Sequence, residues 1–194
     1  MRARLHPTAD VEDGVEIGDD TAVWSHVHLR GPSRIGRDCI VGEKTYIAGG
    51  VSIGDRVKLN AFVYICTGVT IEDGVMVSAG AVFTNDRYPR ATTPDLSALR
   101  LSEADEHTLE TRVCRGATIG AGAVIGPGIE IGPFAMVGMG AVVTRSVPAH
   151  HLVVGNPARH IGYVCRCGER IEGACAACGR RYEIDGDVVT ELDA

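Results

Sequence analysis

The chain has 194 residues, 23 % of them charged, and a formal net charge of −6. That is enough for one domain with a small appendage, too apolar for extended disorder, and acidic enough to argue against a nucleic-acid partner. No run of 18 uninterrupted apolar residues occurs and no apolar segment follows the N-terminal MRARLHPTAD, so no membrane association is expected and the expected location is cytoplasmic.

From Val11 the sequence divides into sixes: VEDGVE, IGDDTA, VWSHVH and onward to FTNDRY, then again from Val113 as VCRGAT through VTRSVP. Of the 19 first positions, 18 are Val, Ile or Leu and the other is Phe83, although only 46 of the 194 residues are of those three types. The fifth position is mostly small or β-branched (Val15, Thr21, Val51, Ala117, Ala141), and the second is often Gly. Two inward residues in every six describe a short strand and a corner, and three such units close a triangular coil. Coils stack at about 4.8 Å, each strand bonding to those above and below. The expected fold is therefore all-β, a left-handed parallel β-helix of hexapeptide repeats with about six coils, in which second-position Gly relieves the backbone at its turns. A phosphate-cradling glycine loop is set aside, because no GxxxxGK[ST] occurs and the glycines follow the six-residue frame.

Along the first run, His26 and His28 take fourth and sixth positions and point outward near Trp24, as surface or subunit-contact residues or as groups titrating near neutrality. Cys39, at a fifth position, reads as a buried small hydrophobe. Cys66 and Cys114, at second positions, read as turn residues or exposed thiols. The frame then fails, since Arg87 would fall at an inward fifth position where an unpaired guanidinium is costly. Residues 84–112 form a polar excursion with two Pro and a short helix expected over 95–110, DLSALRLSEADEHTLE. A long loop leaving a regular scaffold is more often a binding element than an accident.

Beyond the second run, four of the seven Cys fall in 165-CRCGERIEGACAACGRRYEI-184. Two close pairs, Cys165 with Cys167 and Cys175 with Cys178, are separated by seven residues, and each pair is followed by Gly. Four thiols in that pattern suit a tetrahedral structural zinc better than disulfides. The expected division is a β-helix over 1–162 and a zinc-ribbon-like tail over 163–194 that caps the open end of the coils. A nucleic-acid-binding ribbon is disfavoured by the acidic EIDGDVVTELDA.

The hexads, 82-VFTNDRYPRA-91, 116-GATIGAGAVI-125 and 139-MGAVVTRSVPAHHLVVGNPARHIGYVC-165 together resemble the hexapeptide-repeat acyltransferases. The resemblance is nearest the nucleotide-sugar N-acetyltransferases, the branch represented by UDP-2-acetamido-3-amino-2,3-dideoxyglucuronate N-acetyltransferase. It implies a homotrimer with acetyl-CoA, or another acyl-CoA, lying in a groove between two copies. By position it implies Ala121, Met139, Thr144, Arg145 and Arg159 on the donor side, with the arginines meeting phosphates or remaining solvated surface charge. It implies a nucleotide-linked amino sugar as acceptor, whose amine attacks the thioester. Asn85 would hold that amine, His107 is a candidate proton acceptor, and Tyr88 and Arg90 are sugar or phosphate contacts or loop anchors. The small Ser78, Ala79 and Gly80 depart from the branch's bulkier residues and would enlarge the acceptor site. Other readings remain open: O- or N-acetylation of another small acceptor, or a non-catalytic scaffold. A three-His zinc hydratase is nearly excluded, since residues 113–149 contain no His.

Overall fold

The computed structural model describes residues 2–101 and 104–192. Among them there is no helix, and the coils are built from strands of two or three residues arranged in three parallel sheets. The first face runs from Arg4–Leu5 to His151–Val154, the second from Asp10–Val11 to Val142–Val143, and the third from Val15–Ile17 to Glu130–Ile131. Each strand pairs with the residue one coil on, as in Ala22 with Ile40 and Lys58 with Met76.

First-position side chains fill the prism: Leu29, Ile47, Ile65, Phe83, Ile119 and Ile125 are wholly buried. Two buried threonines at fifth positions are bonded, whereas the hydroxyl of Ser33, at another fifth position, has no partner among the described residues. The Thr21 hydroxyl donates to Gly36 O at 2.8 Å and the Thr45 hydroxyl to Asn60 O at 3.0 Å, so neither leaves an unsatisfied group in the core. Cys39 is buried as expected. Cys66 and Cys114 are also buried, at 5 % exposure each, which removes the exposed-thiol reading. Burial pushes the Cys66 thiol up to about 11, away from reactivity.

Three expectations need correction. There are more than six coils: the first face holds eight parallel strands, because the frame extends back to Leu5 and a final rung, His151–Val154, forms after the hexads end at Pro148. Both additions lie outside the strict repeat; Leu5 is half exposed, and Val153 pairs with Val137 across a shortened turn. Second, the turning residue is the fourth of most hexads, not the second. Phe62 and Gly140, among others, take the left-handed conformation there, with φ of 61° and 66°. Gly120, at a second position, answers to crowding instead, since a Cβ would lie 2.5 Å from the Met139 amide nitrogen of the next coil.

Third, the helix over 95–110 is not formed among its described residues; Ser102 and Glu103 lie outside them. The segment instead makes a turn closed by a Thr92–Leu99 antiparallel bridge. Asp95 accepts from the Thr93 hydroxyl at 2.6 Å and the Ser97 amide at 3.2 Å, side-chain bonds that compete with a helix start. The excursion leaves the coil after Phe83 and rejoins it at Thr111–Val113, so that Ile71 pairs with Val113. Its neck is pinned by the Leu109 amide donating to Asn85 O at 2.8 Å and by an Asp86–Thr108 bridge.

At the other end the first face continues antiparallel through Arg159–Val164 and Arg170–Ile171, covering what would be a bare strand edge. The tail has its own small cluster of Cys165, Ile171, Cys175 and Tyr182, and it ends in a hairpin of Tyr182–Asp185 with Val188–Glu191.

Candidate functional site

The excursion folds back over the corner between the second and third faces and encloses a cleft of ≈ 540 Å³. Asn85, Asp86, Arg90, Arg100, Asp105 and Thr67 line it. Asn85 lies two residues past Phe83, the last strand residue before the excursion, and its Nδ2 donates to Thr67 O at 3.1 Å, one coil below. That bond fixes the carboxamide plane and leaves Oδ1 and a second N–H for a ligand. Arg100 pairs with Asp105 at 3.6 Å, and Arg90 Nη1 donates to Pro89 O at 3.0 Å, so two guanidiniums stand beside two carboxylates in one cleft. Such a set can meet both a phosphorylated and an amine-bearing group.

Tyr88 and His107 are placed differently. Tyr88 is exposed and does not line the cleft, although its amide donates to Asp86 Oδ1 at 2.7 Å. His107 opens onto a neighbouring hollow of ≈ 420 Å³ that shares only Arg90 and Arg100 with the cleft. Within one chain His107 and Asn85 thus line adjoining hollows rather than the same one.

Of the expected donor-side residues, Thr144, Arg145 and Arg159 line one cavity of ≈ 400 Å³ at the C-terminal end of the coils, together with Ser146, His151, His160 and Asp187. Phe83, Ile125 and Val143 stack coil on coil, so Asn85 and Arg145, each two residues further on, occupy the same edge two coils apart, about 10 Å by strand spacing. Ala121 and Met139 fall on another edge, between the first and second faces, where the Gly140 amide donates to Ala121 O at 2.8 Å. Ser78, Ala79 and Gly80 share that edge, so within one chain they do not enlarge the Asn85 cleft.

His151, His160 and Tyr163 were not expected here. Their rings pack at 4.4 to 5.1 Å centroid separations, and burial pulls the His151 imidazole below its ordinary value. The available signal was AHHLVVGNPARH, three His just where the six-residue frame stops. His150 is likewise buried, donating Nδ1–H to Val164 O at 2.8 Å, stacked on Phe134 and tilted against Tyr182.

The four tail cysteines converge, with all Sγ atoms within 4.8 Å of one another. The Cys165–Cys178 and Cys167–Cys175 separations are 3.4 Å. A tetrahedral ion with metal–sulfur bonds of about 2.3 Å spaces its sulfurs at about 3.8 Å, so the donor set fits zinc closely. The Arg180 amide and guanidinium hold the Cys178 thiol down to about 6. The Glu169 amide favours the Cys167 thiolate, but Cys175 and burial outweigh it and push that thiol up to about 12. Among the described residues this is the one grouping of three or more possible metal ligands; no three-His cluster forms. No helix among them is long and apolar enough to cross a membrane.

The sequence matches the family model described as bacterial transferase hexapeptide (six repeats) over residues 14–49, 32–65, 50–85 and 110–145. A curated relative, dTDP-3-amino-3,6-dideoxy-alpha-D-galactopyranose 3-N-acetyltransferase of Aneurinibacillus thermoaerophilus, is 40 % identical over 86 residues. The match takes in 42 % of this chain and 45 % of the relative, so the chain spans less than half of that enzyme's length. Among solved structures, the N-acyltransferase AntD from Bacillus cereus, in complex with dTDP and 3-hydroxybutyryl-CoA, aligns at TM-score 0.56 and 18 % identity over 86 % of this chain and 82 % of that one. The acetyltransferase domain of PglB from Neisseria gonorrhoeae, in complex with acetyl coenzyme A, aligns at 0.51 and 19 % over 82 % and 58 %. At those identities the likeness establishes the fold.

Proposed function

Because the chain belongs to the bacterial transferase hexapeptide family, we propose that it moves an acyl group, acetyl in the simplest case, from an acyl-CoA to the amino group of a nucleotide-linked sugar. The observation that carries this reading is the alignment, along one edge of the prism, of the Asn85 cleft and the Arg145–Arg159 cavity. An acceptor bearing phosphates and a donor bearing phosphates each find arginines, with the coils between them. The curated relative is named for acetylating a dTDP-linked 3-amino sugar, and the Bacillus cereus enzyme was solved with dTDP and an acyl-CoA, which supports the choice of both partners.

In this reading the neutral amine attacks the thioester carbonyl, the tetrahedral adduct expels the CoA sulfur, and the amine gives up one proton. An amine is already a good nucleophile, so orientation contributes more than a strong base. Asn85 holds the amine through its free Oδ1. Arg90, and Arg100 beside it, take the nucleotide's phosphates, and the exposed Tyr88 meets the sugar outside the cleft. His107 accepts the proton only if a second copy brings its groove to the excursion. A homotrimer also accounts for the split of Ala121 and Met139 from Thr144, Arg145 and Arg159, because a groove between two copies joins one edge of each. Zinc on the four cysteines is structural here, and the reduced thiols and the CoA donor fit a cytoplasmic setting.

Arg145→Ala and Arg159→Ala should each raise the Kd for acetyl-CoA about tenfold by calorimetry, the worth of a charge-assisted phosphate contact, and should leave the Kd for the nucleotide sugar unchanged. Equal loss of both affinities would move the phosphate assignment elsewhere.

A further inference from the structure

The hairpin at the end of the tail touches two sites at once. At its turn, the Tyr163 hydroxyl donates to Gly186 O at 2.8 Å and His151 Nε2–H donates to Asp187 O at 3.1 Å. Asp187 lines the cavity that holds Thr144, Arg145 and Arg159. At its other end the hairpin is tied to the cysteine cluster. The buried Glu191 carboxylate bridges Arg166 at 2.8 Å, between Cys165 and Cys167, and Arg180 at 3.0 Å, two residues beyond Cys178. The Tyr182 hydroxyl lies 3.1 Å from Cys165 Sγ.

A two-stranded hairpin is marginal by itself, and the tail's apolar cluster of Cys165, Ile171, Cys175 and Tyr182 is too small to hold it alone. Two of those four residues are thiols of the metal-type cluster. The order of the hairpin therefore depends on whatever draws the four sulfurs together.

We propose that His151 and Tyr163 are positioning residues that seat the hairpin turn as one wall of the Arg145–Arg159 cavity, and that zinc on the four tail cysteines keeps it seated, so that metal occupancy and donor affinity are linked. The identity of the donor rests on the acyl-CoA reading above; the seating does not. Linkage requires that the state binding zinc also be the state binding the donor, which a shared hairpin supplies.

The test uses the full chain in three forms: zinc-loaded, stripped of zinc by chelator, and zinc-loaded Tyr163→Phe, which keeps the ring and loses the hydroxyl. Hydrogen–deuterium exchange without ligand and the Kd for CoA are both read. Exchange over 143–148 and 185–188 should quicken on stripping, and the Kd should rise about tenfold or more; Tyr163→Phe should keep its zinc and raise the Kd about fivefold, the worth of one hydrogen bond. If stripping speeds exchange only within 165–192, or if CoA binds equally to all three forms, the seating is wrong and the acyl-CoA reading stands. If exchange over 143–148 follows zinc but no form binds CoA, the donor assignment fails and the seating stands. A chain that takes up no metal overturns the linkage.

Discussion

Replacing Cys175 and Cys178 together by Ser is expected to abolish zinc binding and unfold the tail while the coils persist. The two residues supply half the sulfurs of a cluster whose members all lie within 4.8 Å, and serine oxygens are poor substitutes for thiolates. Structural zinc sites are worth about 10–16 kcal/mol of apparent binding in isolated fingers, far more than the tail's small apolar cluster can supply. Metal per chain should fall from one to none. Limited proteolysis should cut within 165–192, and the circular dichroism of the coils should be kept, because their core is a separate cluster. Acidification should also release zinc, because protons compete with the metal for the thiolates, and the tail should become protease-sensitive as the metal leaves. An unmodified parent without zinc would contradict the assignment before any variant is made.

Asn85→Ala should lower kcat by about a hundredfold, the order expected for a lost orienting or oxyanion-stabilising group, with the Kd for acetyl-CoA within twofold of the parent. The separation is expected because Asn85 lines the excursion cleft and not the Arg145–Arg159 cavity. The neck of the excursion should survive. The bond from Leu109 uses the Asn85 backbone, and the Asp86–Thr108 bridge is untouched, so only the 3.1 Å donation to Thr67 O is lost. Turnover unchanged from the parent would strip Asn85 of its role.

The prism was legible because one physical requirement repeats without interruption. Every coil must present an aliphatic inward at each face, and Ile35, Ile53 and Ile71 do so through 18-residue spacing. What the six-residue frame missed lies where that requirement relaxes. Leu5 lies on an end coil and is half exposed, and His151–Val154 forms a rung after the hexads end, entered through a left-handed turn at His150. The excursion misled because DLSALRLSEADEHTLE has helical composition while Thr93, Asp95 and Ser97 bond locally against it. The convergence of four cysteines was readable from spacing, and the separation of Ala121 from Arg145 was in principle readable too, since position within an 18-residue coil fixes the edge. The His151–Tyr163 latch was not readable, because it joins the last rung and the antiparallel strand beside it to a hairpin more than twenty positions away.

Incubating the zinc-loaded chain with acetyl-CoA and a panel of dTDP- and UDP-linked 3-amino and 4-amino sugars, and reading mass by spectrometry, tests the central claim most directly. The account predicts that at least one sugar gains a single acetyl group on nitrogen while free CoA appears in equal amount. No mass gain on any amino sugar, together with no heat on titrating acetyl-CoA, would contradict it.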